Sequence, residues 1–160
     1  MDRNLSLLAA FFSLVGCAIG GVIALGHLAP VLLLGGADYL KAFDPHQLQA
    51  LALLSLKLHG YGEDVAIVFF GLYCPLLGYL IFRSGYLPKF LGILLAIGGL
   101  CYIINSFADF ISPTFSAMIP AYILLPPGIA ELSLCLWLIA AGVNVPKWEE
   151  KAKRYSITVG

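Results

Sequence analysis

Apolar runs broken by short polar stretches set the pattern of this chain. Four runs approach the roughly 20 residues that a helix needs to cross the hydrocarbon core of a membrane. They lie at about 5–28, 65–82, 90–111 and 121–143. Polar or turn-rich stretches at about 35–64, 83–89 and 112–120 separate them, and a polar tail follows at 145–160. The longest connector has a pattern of its own. Asp44-Pro45-His46-Gln47 supplies a capping residue, a proline for the first helical position and a glutamine for the third. The leucine- and alanine-rich stretch that follows favours a helix at about 45–59, lying on the membrane surface or against the bundle. Gly60 and Gly62 are the expected bend between this surface helix and the second span.

Composition agrees with a membrane location. Of 160 residues, 61% are hydrophobic and 11% charged, against roughly 45–50% and about 25% in soluble domains. The fold class expected is all-α: an integral membrane helical bundle of four transmembrane helices plus an amphipathic external helix. Residues 1–144 form a single membrane domain and 145–160 a cytoplasmic tail. The formal charge of +0 gives no basic surface for nucleic acid. The partners expected are the lipid bilayer and other membrane helices, including a second copy of the chain.

Charge distribution sets the orientation. With four spans, Arg3, Arg83, Lys89, Lys147, Lys151, Lys153 and Arg154 fall on one side, and Lys41 and Lys57 on the other. The excess predicts both termini in the cytoplasm and a cytoplasmic (inner) membrane location. Leu14-Val15-Gly16-Cys17 looks like a lipoprotein cleavage box, but the sequence stays apolar to Leu34, where a cleaved product would have a polar tether. The first run is therefore read as a retained span.

Small residues suggest packing positions. Gly16 and Gly20, and Gly92 and Ala96, are spaced so that helix backbones can approach closely in lipid.

Candidate chemistry lies in the polar groups of the apolar runs. A charge at the bilayer centre costs roughly 2.5–3.5 kcal/mol on insertion scales. His27, His59, Glu63, Asp64, Asn105, Asp109 and Glu131 therefore stand out. In the predicted orientation all of them fall in the outer half. Glu131 lies about ten residues into the fourth run, about 15 Å along a helix and near the midplane. If Pro126-Pro127-Gly128 starts the helix instead, Glu131 lies in its first turn, within reach of water. His59 and Glu63 share a helix face, as do Asn105 and Asp109. No lysine or arginine lies within the spans to pair with these acids, which leaves histidines, Asn105, tyrosine hydroxyls, water or a cation. The candidates for binding a ligand or proton are Glu131, His59, Glu63, Asp64, Asn105 and Asp109, grouped in an outward-facing vestibule with Glu131 at its floor. The opposing reading makes the acids of the span ends interfacial, and His27 and His59 structural hydrogen-bonding groups.

No nucleophile elbow, phosphate loop, HExxH or dinucleotide fingerprint is present. No catalytic residue, cofactor or metal site is expected. Cys17, Cys74, Cys101 and Cys135 fall one to a span and read as apolar packers.

The stretches LLLGGADYLKAFDPHQLQALALL, LKLHGYGEDVAIVFFGLYCPLLGYLIFRSGYLPKFLGILL and GIAELSLCLWLIAAGVN resemble a bacterial family of multi-pass membrane proteins known as a domain of unknown function. The resemblance covers about 5–144, and FRSGYLPKFLG is its most specific segment. It implies a helical membrane bundle from a prokaryote and no particular activity. It also implies further helices before DRNLSLLAAFF, so that this chain matches the C-terminal two thirds of the family, and a single acid where Glu63-Asp64 stand. Three functions fit the sequence: binding or conduction of a small ligand or proton through an outer polar pocket, a structural or assembly subunit without chemistry, and, third, a metal-dependent membrane enzyme.

Overall fold

The computed structural model describes residues 3–159, and Met1 lies outside the described residues. Every regular element among them is helical: α1 (Arg3–Ile23), α2 (Leu25–Leu34), α3 (Pro45–Ser84), α4 (Lys89–Ile111), α5 (Pro113–Met118), α6 (Leu125–Ala140) and α7 (Val145–Val159), with 3-10 turns at Asp38–Ala42 and Ala121–Leu124. Four stretches are long and apolar enough to cross a membrane: Arg3–Leu34, Pro45–Ser84, Lys89–Ile111 and Ala121–Ala140.

The first apolar run breaks at Ala24. The His27 N–H bonds to the Ala24 carbonyl instead of the Ile23 carbonyl. The Ile23 oxygen is thereby released from the helical ladder. Gly20 and Gly21 before the break and Pro30 after it weaken the helix on both sides.

α3 corrects the expected bend. It runs for 40 residues, about 60 Å, or twice the roughly 30 Å of a hydrocarbon core. The predicted surface helix and second span are one element. Its start is as read: Asp44 accepts from His46 N–H at 2.8 Å, and Gln47 Oε1 accepts from Asp44 N–H at 3.1 Å. Gly60 and Gly62 do not interrupt it, because a glycine costs a helix only about 1 kcal/mol. Gly62 instead admits α1: a Cβ there would lie 2.5 Å from Ile23 Cγ2. α3 ends at Gly85, whose φ of 74° is the left-handed conformation of a helix stop. The polar tail is likewise helical, capped where Asn144 Oδ1 accepts from Lys147 N–H at 3.1 Å.

α3 is the spine. α1 and α2 pack on one side of it, α4 on the other, and α6 on α4. Cys74, Ile81, Leu91, Leu95 and Ala130 form the core where α3, α4 and α6 meet. Of the predicted packing positions, Gly92 and Ala96 lie in the α3–α4 contact, where Gly78 meets the Gly92 carbonyl and Ala96 N. Gly16 packs on α3, with a Cβ position 3.2 Å from the Ala66 oxygen. Gly20 does not pack: nothing lies within 4 Å of its Cβ position.

The α3–α4 seam continues beyond the predicted pair. Gly71 faces Gly99, with a Cβ position 3.0 Å from the Gly99 oxygen. Pro75 has no N–H to give the Gly71 carbonyl, and that carbonyl lies over Gly99, 2.7 Å from its Cβ position. The two ends of the row of helices differ in charge. The α3–α4 turn and the end of α6 are joined, Asn144 N–H donating to the Tyr86 carbonyl at 3.0 Å. Ser6 of α1 lines a cavity with the same Tyr86. Arg83, Lys89 and Lys147 therefore gather at this basic end, with Arg3 at the near end of α1. The side chains of Lys151 and Arg154, counted with them above, lie outside the described residues.

Candidate functional site

The polar residues fall into three places, not one vestibule. The first two lie toward the end opposite the basic one, and the third lies near the middle of α4.

The first lies between α1 and α3. His59 is on the α3 face that meets the break at Ala24, and its Nδ1 is 2.8 Å from the released Ile23 oxygen. A carbonyl only accepts, so Nδ1 carries the proton. Nε2 then faces Glu63 Oε2 at 3.6 Å, one turn along α3. The His27 ring stands edge-on to His59, centroids 3.9 Å apart. His59 and Glu63 line a cavity of about 400 Å³ with Gly16, Cys17, Gly20 and Phe70. Sequence spacing gave the His59–Glu63 pair. The carbonyl partner depends on a helix break that single-residue patterns do not reveal.

The second lies between α3, α4 and α5. Asp64 on α3 and Asp109 on α4 line a cavity of about 420 Å³ with Lys57, Tyr61 and Ser116. Asn105 Nδ2 donates to Asp109 Oδ2 at 3.3 Å, and the Ser116 hydroxyl donates to Asp109 Oδ1. α5 positions Ser116, and Ser112 starts α5 by accepting from Thr114 N–H at 3.2 Å, with Pro113 next. Glu63 and Asp64 point to different cavities because adjacent helix positions are about 100° apart. Ser116 and Lys57 were missed. Ser116 belongs to a stretch with no periodicity, and Lys57 stands two turns before Asp64.

The third lies between α4 and α6. The Tyr102 hydroxyl donates to Glu131 Oε1 at 3.0 Å. Tyr102 is close to the middle of α4, so Glu131 is level with that middle. α6 itself starts at Leu125, with Pro126 and Pro127 in its first turn, so Glu131 lies in its second turn. Tyr102 and Asp109 are about 10 Å apart along α4. Tyr102, Asn105, Ser106 and Asp109 share one face of α4, spread over about 100°. Ser106 is fully buried, and its hydroxyl has no hydrogen-bond partner among the described residues. None of the cavities described here is lined by both Glu131 and Asp109.

Among the described residues, no three His, Cys, Asp or Glu side chains converge as a metal site. The four cysteines are dispersed, with Cys74 buried and Cys17 and Cys135 exposed.

Comparison with known proteins adds a family. Residues 1–142 match the family described as Domain of unknown function (DUF4386). The chain belongs to that family. The resemblance carried by FRSGYLPKFLG and its flanking helices is therefore to a DUF4386 pattern, and it brings no activity with it. An uncharacterised protein of Archaeoglobus fulgidus is 34% identical to the chain over 79 residues, which is 49% of the chain and 45% of the relative. The chain thus spans less than half the length of this relative. No solved structure matches it.

Proposed function

We propose that this DUF4386 protein is a membrane-embedded binding protein that takes a small cation or a proton at the Asp64–Asp109 cavity. One observation carries the reading: two carboxylates from different helices line a single cavity near the end of the helical row. Among the described residues neither is held in an ion pair. Two acids sharing a site repel each other, and a bound proton or cation relieves that repulsion. The unpartnered Ser106 hydroxyl lies on the same face of α4, and an unmet buried hydroxyl costs roughly 1–3 kcal/mol. Tyr102 and Glu131 continue this face inward, a second station for a proton. The reading includes the orientation: the basic end faces the cytoplasm and the acid cavity opens outward.

Thermal unfolding of the purified chain against a panel of monovalent cations, divalent cations and small amines tests this. A ligand at 100 times its Kd stabilises the folded state by about 2.7 kcal/mol. One cation class is expected to raise the melting temperature of wild type but not of Asp109→Asn. No response to any cation at any pH, or an equal response in the variant, overturns the reading.

The assembly reading has one observation in its favour. α2 has no buried residue and exposes Leu25, Leu28, Val31, Leu32 and Leu34. If the chain is an assembly subunit, crosslinks from Val31 to another membrane helix form in intact membranes.

A further inference from the structure

From the basic end inward, a cleft runs between α1 and α6, with α3 as its floor. It has a volume of about 730 Å³ and is lined mainly by apolar groups, among them Ala10, Leu14, Leu77, Leu134 and Leu138. That size is within the 300–1,000 Å³ or so of ligand-holding cavities. Along α1 it runs from Ser6 to Cys17, about 16 Å, or half the roughly 30 Å of a hydrocarbon core. It ends at Cys17, where α1 closes on α3: a Cβ on Gly16 would lie 3.3 Å from Phe70 and 3.5 Å from Phe69, and beyond this pinch Cys17 lines the separate His59–Glu63 cavity. A membrane-spanning helix from a partner would need a groove of full depth. A lipid chain of one leaflet needs half.

The mouth of the cleft has a second, polar cavity beside it. Tyr86 and Leu87 form a common wall, and behind it lies a space of about 530 Å³ lined by Lys89, Lys147, Asn144 and Trp137. Lys89 is set over the Phe82 ring, 5.2 Å from its centroid. Among the described residues no acidic side chain is paired with Lys89 or Lys147. Trp137 donates from Nε1 to the Gly142 carbonyl at 3.1 Å and shapes this wall. An apolar slot one leaflet deep, with two lysines lining the cavity beside it across the Tyr86–Leu87 wall, suits an anionic phospholipid.

We infer that the chain holds an anionic phospholipid, with an acyl chain in the α1–α6 cleft and its phosphate between Lys89 and Lys147. The inference is independent of the acid cavity. The lipid fills the open side of the row and ties α1 to α6.

Native mass spectrometry of the full chain in detergent, titrated with phosphatidylglycerol and phosphatidylcholine of identical acyl chains, tests this. Each basic group near a lipid surface contributes enough that two of them favour the anionic lipid about thirtyfold. The preference is expected to fall to near unity in the Lys89→Gln, Lys147→Gln double variant. Leu134→Trp, which fills the cleft, is expected to lower the affinity for both lipids. Circular dichroism confirms that each variant is folded, and should the double variant unfold, Leu134→Trp and the wild-type preference decide. Equal binding of the two lipids to wild type overturns the inference. So does an unchanged preference in a folded double variant, full affinity in folded Leu134→Trp, displacement of the lipid by soluble glycerol phosphate, or a dimer whose interface occupies the cleft.

Discussion

The contact between α3 and α4 has two halves that could hardly differ more. In one half, Gly78 meets Gly92 and, two turns on, Gly71 meets Gly99, so that backbone lies against backbone. A further two turns in the same register bring Asp64 opposite the buried Ser106, and beside this contact Asp64 and Asp109 line a cavity. The glycine half is closed by backbone and by the side chains of Ile103, Pro75 and Cys74, which lie against Gly71 and Gly99. Shape holds it together, as suits helices in lipid, where the hydrophobic effect does not drive association. The polar half has carboxylates, hydroxyls and space. The difference teaches that rigidity and chemistry are placed on the same pair of helices, the first anchoring the second.

Breaking the glycine half has the largest expected effect. Gly78→Val would drive a branched side chain into the Gly92 carbonyl. A loss of roughly 3 kcal/mol or more is expected in thermal or denaturant unfolding in micelles. Tolerance of valine there would show that the seam is looser than described. His59→Ala is next, at about 1–2 kcal/mol, since it leaves the Ile23 carbonyl without its donor. Hydrogen exchange over Leu25–Leu34 should rise in that variant, and an unchanged exchange rate would mean that His59 does not secure the break. Tyr102→Phe removes the donor to Glu131 and should cost about 1 kcal/mol, in line with hydrogen bonds between membrane helices. Glu131→Gln keeps an acceptor for Tyr102 and should cost less; a larger loss than Tyr102→Phe would argue against this geometry. Gly20→Ala serves as the reference. It meets open space and should change stability by less than about 1 kcal/mol, toward greater stability.

The sequence foretold what apolar length and spacing govern. Four helices long enough to span, the capping box at Asp44 and Gln47, and the close-packed Gly92 and Ala96 all follow from local rules. The continuity of α3 through Gly60 and Gly62 does not, because α1 packs against Gly62 and tertiary contact outweighs a small local penalty. The break at Ala24 was hidden for a similar reason: the His59 ring supplies the donor that the ladder lacks, and it comes from 36 residues away. The candidate acids were legible as costly residues in apolar runs. Their division among three places was not, since it depends on which way neighbouring positions turn. Glu63 and Asp64 are adjacent in the chain and face different cavities.

The central claim is that the polar half of the α3–α4 contact binds a cation or proton. The most direct test is a calorimetric titration of the purified protein with the cation class that stabilises it, or a measurement of proton uptake if none does. Wild type and the variant Glu63→Gln, whose altered group lines the other cavity, should both bind one equivalent. The Asp64→Asn, Asp109→Asn double variant should bind none while staying folded. Equal binding by this double variant, or loss of binding in Glu63→Gln alone, would contradict the account.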